Sequence, residues 1–565
     1  MDPKLFTLVL HSHIPYVVGH GTWPHGMDWL YEAAAESYLP LLGVFRRLAD
    51  QGLSPRVTIG FTPVLAEQLR MPGFVEGFGA YLEMKLDAAR HDQEHFQRTG
   101  EAMLASLAVR WRTWYEGIAV QFLEEYRGDI IGGFKALQDE GHIEILTSAA
   151  THAYFPLLSR DESITRQVGR KTIVAETCNP VLTGFQAPKI VWLRDNEPDL
   201  YSRLRMILLP KDYIRYLLSG DFATEVSDAA GTSLLNVGKR QWSDVMLSGL
   251  GLTKDMLPRV YESPVASTRI SQSAAEATGL WPGMPIAGGG GDNACSAVGN
   301  GVIEEGIVQV SVGTSGTVFS PMKEPKLDPK LRVHTFCHAV PDQWHAMGVV
   351  LSAGGSLRWF RDALCGEEKT EAAARGVDPY EIITARASGA PIGSEGLVFL
   401  PYLTGERTPH ADPHARGVFM GLGLRHDRSH MARAVMEGIC YALRDSLEIL
   451  RQMKLPIAEI RNTGGGSRSP FWRQMQSDVF RAPLVGMAID EGAAFGAAVL
   501  GGVAAGVWPD VPAACAAAVR TREPVHPHRH ASAIYNKCYP IYRGLYPSLK
   551  RHYAKLAGVV EKLNP

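Results

Sequence analysis

At 565 residues, with a net charge of −2 and 21% charged side chains, the chain is long enough for about three or four domains and has neither the basic field of a nucleic-acid binder nor an acidic tail for a basic partner. Its seven cysteines, Cys178, Cys295, Cys337, Cys365, Cys440, Cys515 and Cys538, contain no CxxC pair and argue for reduced thiols rather than a disulfide scaffold. The early apolar run Leu5 to Leu10 is too short for a membrane span and lacks a signal-peptide pattern, so a soluble, cytoplasmic protein with no nucleic-acid or membrane partner is expected.

From Lys4 the chain reads KLFTLVLHSHIPY, an apolar strand whose end carries His11 and His13 toward the same side. A helical stretch from about Gly77 to Tyr126 spaces Met103, Leu107, Trp111 and Trp114 so that the stripe is expected to face a core. A second strand, Ile143 to Leu146, leads toward His152. No carboxylate or cysteine falls at ligand spacing from His11, His13 and His152, which disfavours a metal there. The stretches HSHIPYVVGHGTWPHGMDWLYEAAAESYLPLL, GFTPVLAEQL and GHIEILTSAATHAYFPLL resemble the N-terminal part of family 57 glycoside hydrolases, in particular their α-glucan branching enzymes. The resemblance implies a partial β/α barrel over residues 1–168, with the three histidines near a sugar. The two carboxylates such enzymes use lie beyond the point where this chain leaves the pattern. The stretch Val191 to Glu197, VWLRDNE, is superficially similar to that family's nucleophile turn but lacks its proline.

After Val168 the vocabulary changes with no Gly/Ser or Pro-rich linker. Helical stretches follow, one of them closed by Gly220 and Asp221. Asp228, in SDAAGT, precedes a Gly-Thr turn; it is a rival candidate base, and turn capping is its simpler account. In PIAGGGGDNACSAVGNGVIEEGIVQVSVGTSGT, Gly288 to Gly291 deliver Asp292 on a bare turn, either as an ordinary helix cap or as a base. The strand Ile307 to Val312 then runs into Gly313, Thr314, Ser315 and Gly316, which read either as a hairpin or as an anion cradle. A carboxylate and a cradle together suit phosphoryl transfer. His334, Cys337 and His338 form an HxxCH string read as core packing. Gly464, Gly465 and Gly466 precede a helix from about Pro470 and permit a flat base to lie on backbone. A last helix from about Ala531 is expected to dock on the core through Tyr535, Tyr539, Tyr542 and Tyr546.

These stretches, with HTFCHAVPDQWHAMGVVLSAGGSLRWF from His334, PYLTGERTPHADPHARGVFMGLGLRHDRSHMARAVMEGICYAL from Pro401 and GGGSRSPFWRQMQSDVF from Gly464, resemble the xylulose kinases of the FGGY carbohydrate-kinase family from about Gly169 to the end. The resemblance implies an α/β fold: an incomplete two-domain actin/hexokinase-like (ribonuclease H-like) sugar kinase, preceded by the partial barrel. Residues 169–303 would be the remnant of the first kinase domain, 304–505 the second and 506–565 a helical tail. It implies Asp292 as the general base, Asn293 beside it in the sugar site, and Gly313, Thr314 and Ser315 on ATP phosphates. Gly354 would line the nucleotide cleft, and Gly464, Gly465 and Gly466 would pack on adenosine. ATP and Mg would be the cofactors and D-xylulose the substrate, with no metal held by protein side chains and a homodimer left open. The first domain of such kinases opens with an Asp-x-Gly-Thr turn, absent from these 565 residues. Asp139 to Gly141 and Asp490 to Gly492 begin like it, but neither continues into Thr or Ser. The family's early Met-His pair is also absent. An impaired sugar kinase is therefore expected, against two alternatives: an α-glucan enzyme, or a catalytically incomplete sugar- or nucleotide-binding fusion.

Overall fold

Three parallel strands, β1 (Val9–Ser12), β2 (Val57–Phe61) and β3 (Ile143–Thr147), form the sheet of the first of two units, Met1–Leu158 and Ser159–Pro565, in a computed structural model that describes residues 9–12, 14, 16–18, 21, 26–147, 160–489 and 492–563. His11 lies within β1, whereas His13 and His152 fall outside the described residues. The long connections between parallel strands are helical, as parallel pairing requires. Phe61, Phe74, Phe78, Phe122 and Phe134 fill the space between sheet and helices.

Helices α1 (Pro72–Thr99) and α2 (Ala102–Val120) make an antiparallel pair joined at Gly100. Here one expectation is overturned. Met103 is 82% exposed and Trp111 and Trp114 are each 41% exposed, while Ala105, Ala108, Tyr115 and Ile118 are buried. Alanine lets two helices approach closely, so the small-residue face won the contact and the bulky stripe was left outside.

In the second unit, helix Arg160–Val168 packs through Ile164 into a core with Ile173, Val191 and Leu247, so this unit begins ahead of the change of vocabulary after Val168. Val191 to Asn196 belong to the helix Gln186–Asn196, not to a catalytic turn. Up to residue 303 the described strands pair only two by two, as Ala223–Glu225 with Arg259–Tyr261 and Ala266–Arg269 with Pro285–Ala287.

A seven-stranded mixed sheet follows, built from β4 (Gly306–Val312), β5 (Gly316–Met322), β6 (His334–Cys337), β7 (Trp344–Val350), β8 (Ile457–Thr463), β9 (Leu484–Met487) and β10 (Thr521–Val525) in the order β6-β7-β5-β4-β8-β9-β10. Its centre is the parallel pair β4 and β8. The helices that matter below are α3 (Pro210–Ser219), α4 (Asp292–Gly299), α5 (Gly354–Leu364), α6 (Pro379–Gly389), α7 (Arg428–Gln452), α8 (Pro470–Phe480) and α9 (Arg529–Leu563). Helix α7 is buried along nearly its whole length. Residues 506–565, read as a helical tail, also supply β10, because Thr521 to Val525 complete the hydrogen bonding of β9. Tyr535, Tyr539, Tyr542 and Tyr546 are all 6% exposed or less and dock α9 on the core. His334, Cys337 and His338 are buried: His334 Nδ1 meets Asn179 Oδ1 at 3.0 Å and His338 Nε2 meets the Val302 carbonyl at 3.0 Å. Among the described residues no helix is long and apolar enough to cross a membrane.

Candidate active site

Two glycine turns leave the same end of the central strand pair. Strand β4 buries Val308, Val310 and Val312 and stops at Gly313; β8 runs parallel to it with Ser311 opposite Thr463 and stops at Gly464. The Gly313 to Ser315 turn is a hairpin, since β5 returns antiparallel with Gly316 opposite Val312. Its Gly313 amide donates to the Ser315 carbonyl at 2.9 Å. The Gly354 and Gly355 amides, at the start of α5, donate to the carbonyls of Gly313 (2.8 Å) and Thr314 (3.0 Å). The head of α5 is thereby docked on the hairpin, and Thr314 and Ser315 are exposed.

Gly464 sits at φ 78° and ψ −179°, a conformation open only to glycine, and a Cβ there would lie 2.7 Å from the Val312 carbonyl oxygen. The backbones of the two turns are in contact, and no side chain fits between them. Beside them opens a cleft of about 1120 Å³, which brings together Gly313, Thr314, Gly354, Gly465 and Gly466. Ser315 and Gly464 do not line it, nor do Asp292 and Asn293. Sequence reasoning missed its far wall: Arg358 on α5, Tyr380 on α6, and Arg468, Phe471 and Trp472 around the head of α8. The signal available was the aromatic pair directly after the glycine turn, at a helix start that Ser469 caps through the Trp472 amide.

Asp292 is the first residue of α4, which Gly291 caps, and is exposed. Its Oδ1 accepts from the Asn293 amide at 2.7 Å and from Asn293 Nδ2 at 2.9 Å, so the two side chains form one unit at the helix head. The turn before it is pinned at several points: Ser227 Oγ accepts from the Gly291 amide at 3.0 Å, the Ser263 carbonyl accepts from the Gly289 amide at 2.9 Å, and Arg215 Nη2 donates to the Gly288 carbonyl.

Asp228 is not the cap expected of it. Glu225 caps the helical turn Val226–Ala229, accepting the amides of Ser227 (2.6 Å) and Asp228 (2.9 Å), because it is the residue before the turn whose carboxylate can reach back. Asp228 instead faces Lys211, with Oδ2 at 3.6 Å from Nζ. Burial pushes the Asp228 carboxyl up to about 6, against the pull of Lys211. Burial works to lower the Lys211 ammonium, but Glu225, Asp212 and Asp228 together hold it above its ordinary value. Lys211, Arg215, Glu225 and Ser227 gave no sequence signal, since their charge and polarity read as surface until the chain folds over them.

Residues 146–299 match the N-terminal domain of the FGGY family of carbohydrate kinases and residues 308–505 its C-terminal domain, while residues 7–197 match glycosyl hydrolase family 57. Both families lay claim to residues 146–197, and the structure packs residues 160–197 into the second unit. A xylulose kinase from Bacillus subtilis is 36% identical over 374 residues, covering 66% of this chain and 73% of that protein. A xylulose kinase from Escherichia coli is 40% identical over 330 residues, 58% of this chain and 66% of that one. The crystal structure of a ligand-bound xylulose kinase from Lactobacillus acidophilus superposes with a TM-score of 0.65 at 28% identity over 70% of this chain and 79% of that one. By both matched domains and by these relatives, the chain belongs to the FGGY family of carbohydrate kinases and is a phosphotransferase of actin/hexokinase-like fold.

Proposed function

We propose that the second unit phosphorylates a ketose of D-xylulose type at the expense of ATP, and that the chain as it stands does so weakly. The observation that carries the reading is the cleft in which Gly313, Thr314, Gly354, Gly465 and Gly466 meet. Its floor suits a nucleotide: a Cβ on Gly354 would come within 2.5 Å of the Gly313 carbonyl, so the wall is bare backbone, and Tyr380 and Phe471 offer flat faces. ATP bound there would supply the transferable phosphoryl group. Thr314 would donate to its phosphates, with Ser315 next to it on the hairpin but outside the cleft lining, and Gly465 and Gly466 would lie against the adenosine. Mg would come with the nucleotide phosphates. Asp292 would accept the proton of the attacking sugar hydroxyl, with Asn293 fixing the carboxylate through its two hydrogen bonds. Weakness follows from the absent Asp-x-Gly-Thr turn, which removes one set of phosphate donors and a carboxylate that helps to place Mg.

Asp292→Asn tests the assignment. ADP release with D-xylulose is expected to fall about 10²–10⁴-fold while the ATP Kd from calorimetry barely changes, because a base acting on the acceptor contributes in the transition state. Near-normal turnover in Asp292→Asn, with loss in Asp228→Asn, would move the base to Asp228. The family 57 match over residues 7–197 favours a second reading, α-glucan branching or hydrolysis by the first unit. Iodine staining of amylose incubated with the chain tests it.

A further inference from the structure

We propose that Lys211 is a positioning residue for the Asp292 turn, acting through a buried charge set that no substrate needs to touch. The proposal rests on the reading of Asp292 as the acceptor base. Lys211 Nζ lies 2.8 Å from Asp212 Oδ1, 3.4 Å from Glu225 Oε1 and 3.6 Å from Asp228 Oδ2. Asp212 and Glu225 are fully buried. A second cation, Arg215, reaches Asp212 Oδ1 at 3.1 Å. Two cations thus face three carboxylates, and Lys211 alone among them touches all three.

Two of the three groups that Lys211 neutralises lead to the glycine turn. Glu225 accepts the Ser227 amide at 2.6 Å and the Ser263 hydroxyl at 2.8 Å. Ser227 Oγ then accepts the Gly291 amide at 3.0 Å, and the Ser263 carbonyl accepts the Gly289 amide at 2.9 Å. Asp212 orients Arg215, which donates to the Gly288 carbonyl. Both ends of the turn are therefore held by groups whose placement depends on Glu225 and Asp212 keeping their places around one ammonium. Without the ammonium, the carboxylates of Glu225, Asp212 and Asp228 repel one another across a poorly solvated gap and draw apart. As Glu225 shifts, Ser227 loses the carboxylate that fixes it, the Gly291 amide is released, and Asp292, the next residue, loses its bearing.

The test uses the full chain with Lys211→Met, Lys211→Arg and Ser227→Ala. Hydrogen exchange is followed in the segment 288–296 and, as an internal reference, in α7. Lys211→Met and Ser227→Ala are each expected to speed exchange at the Asp292 turn about tenfold or more with α7 unchanged, and Lys211→Arg to restore most of the protection. ADP release with D-xylulose is expected to fall at least tenfold in Lys211→Met, in kcat rather than in the ATP Kd. Unchanged exchange in segment 288–296 overturns the proposal. So does an acceleration that spreads equally to α7, which would mark Lys211 as a support of the whole unit. Should Asp292→Asn prove active, the assignment of the base fails, while the exchange result still decides whether Lys211 orders the turn.

Discussion

Glu406, 1% exposed, accepts the amides of Leu351 (3.0 Å) and Arg407 (2.7 Å) on one oxygen, while its other oxygen has no hydrogen-bond partner. Burial, only partly offset by those two amides, pushes its carboxyl up to about 8. In the unfolded chain the same group titrates near 4.3. The folded state therefore holds the proton more tightly, and the stability this confers is fully present below the unfolded value and is lost as pH rises toward about 8. Glu406→Gln keeps the shape and removes the titration. Its stability relative to the unsubstituted protein is expected to climb by up to ~1.4 kcal/mol per pH unit between about pH 5 and pH 8 and then level off. Urea unfolding of the second unit at pH 5, 6.5 and 8 reads the slope, and parallel curves for the two proteins would show that Glu406 is ionised throughout. Asp445, raised to about 7 by burial, pushes in the same direction and is one of the charges that raise Glu406, so the difference between the two proteins reads Glu406 together with its coupling to Asp445.

The cleft depends on β4 and β8 ending together, and Gly464 is where that arrangement tolerates least. Gly464→Ala must place a Cβ against the Val312 carbonyl in a conformation alanine avoids. A loss of ~1–3 kcal/mol in stability and at least tenfold weaker ATP binding are expected, measured by urea midpoint and by calorimetry. How far such elements were legible depended on what kind of signal the chemistry leaves. Glycines that let backbones meet are visible as letters, so the turns at Gly313 and at Gly465 and Gly466 stood out in the sequence, whereas Gly354 was named only through the resemblance to the kinase family. The strands Ile307 to Val312 and Ile143 to Leu146 were visible by their apolar runs, and α9 by its tyrosine spacing. The stripe Met103, Leu107, Trp111 and Trp114 misled because periodicity reports a face, not which neighbour will claim it; the alanine face beside it made the closer contact. Lys211 and Glu225 were illegible for the opposite reason, since a charge becomes structural only when distant segments close over it. Asp228 was read as a cap from its place before a Gly-Thr turn, and Glu225, three residues earlier, took that task.

For the whole molecule, the two family matches meet inside one chain, and the structure answers with two units, a three-stranded parallel sheet in the first and the seven-stranded sheet of the kinase in the second. Before residue 303 the second unit has only paired strands among its described residues, where a complete first kinase domain would carry its own phosphate turn. Replacing residues 1–168 with the N-terminal segment of a complete xylulose kinase is expected to raise turnover of D-xylulose by several factors of ten, since single electrostatic contacts to a transferring phosphate are each worth about 10²–10³. A coupled ADP assay on both proteins decides it, and rates within tenfold of each other would show that the missing turn is dispensable. The parallel pairing of β4 with β8 also bears on how the chain is made. Asn462 Nδ2 reaches the Val310 carbonyl at 3.4 Å across a sequence separation of 152 residues. At a synthesis rate of about 5–20 residues per second, β4 leaves the ribosome roughly 7–30 s before its central partner exists. Through that interval a valine-rich strand presents an unpaired edge to every other nascent chain nearby. Codon choice between residues 313 and 457 thus becomes a lever on soluble yield, independent of how stable the finished protein is.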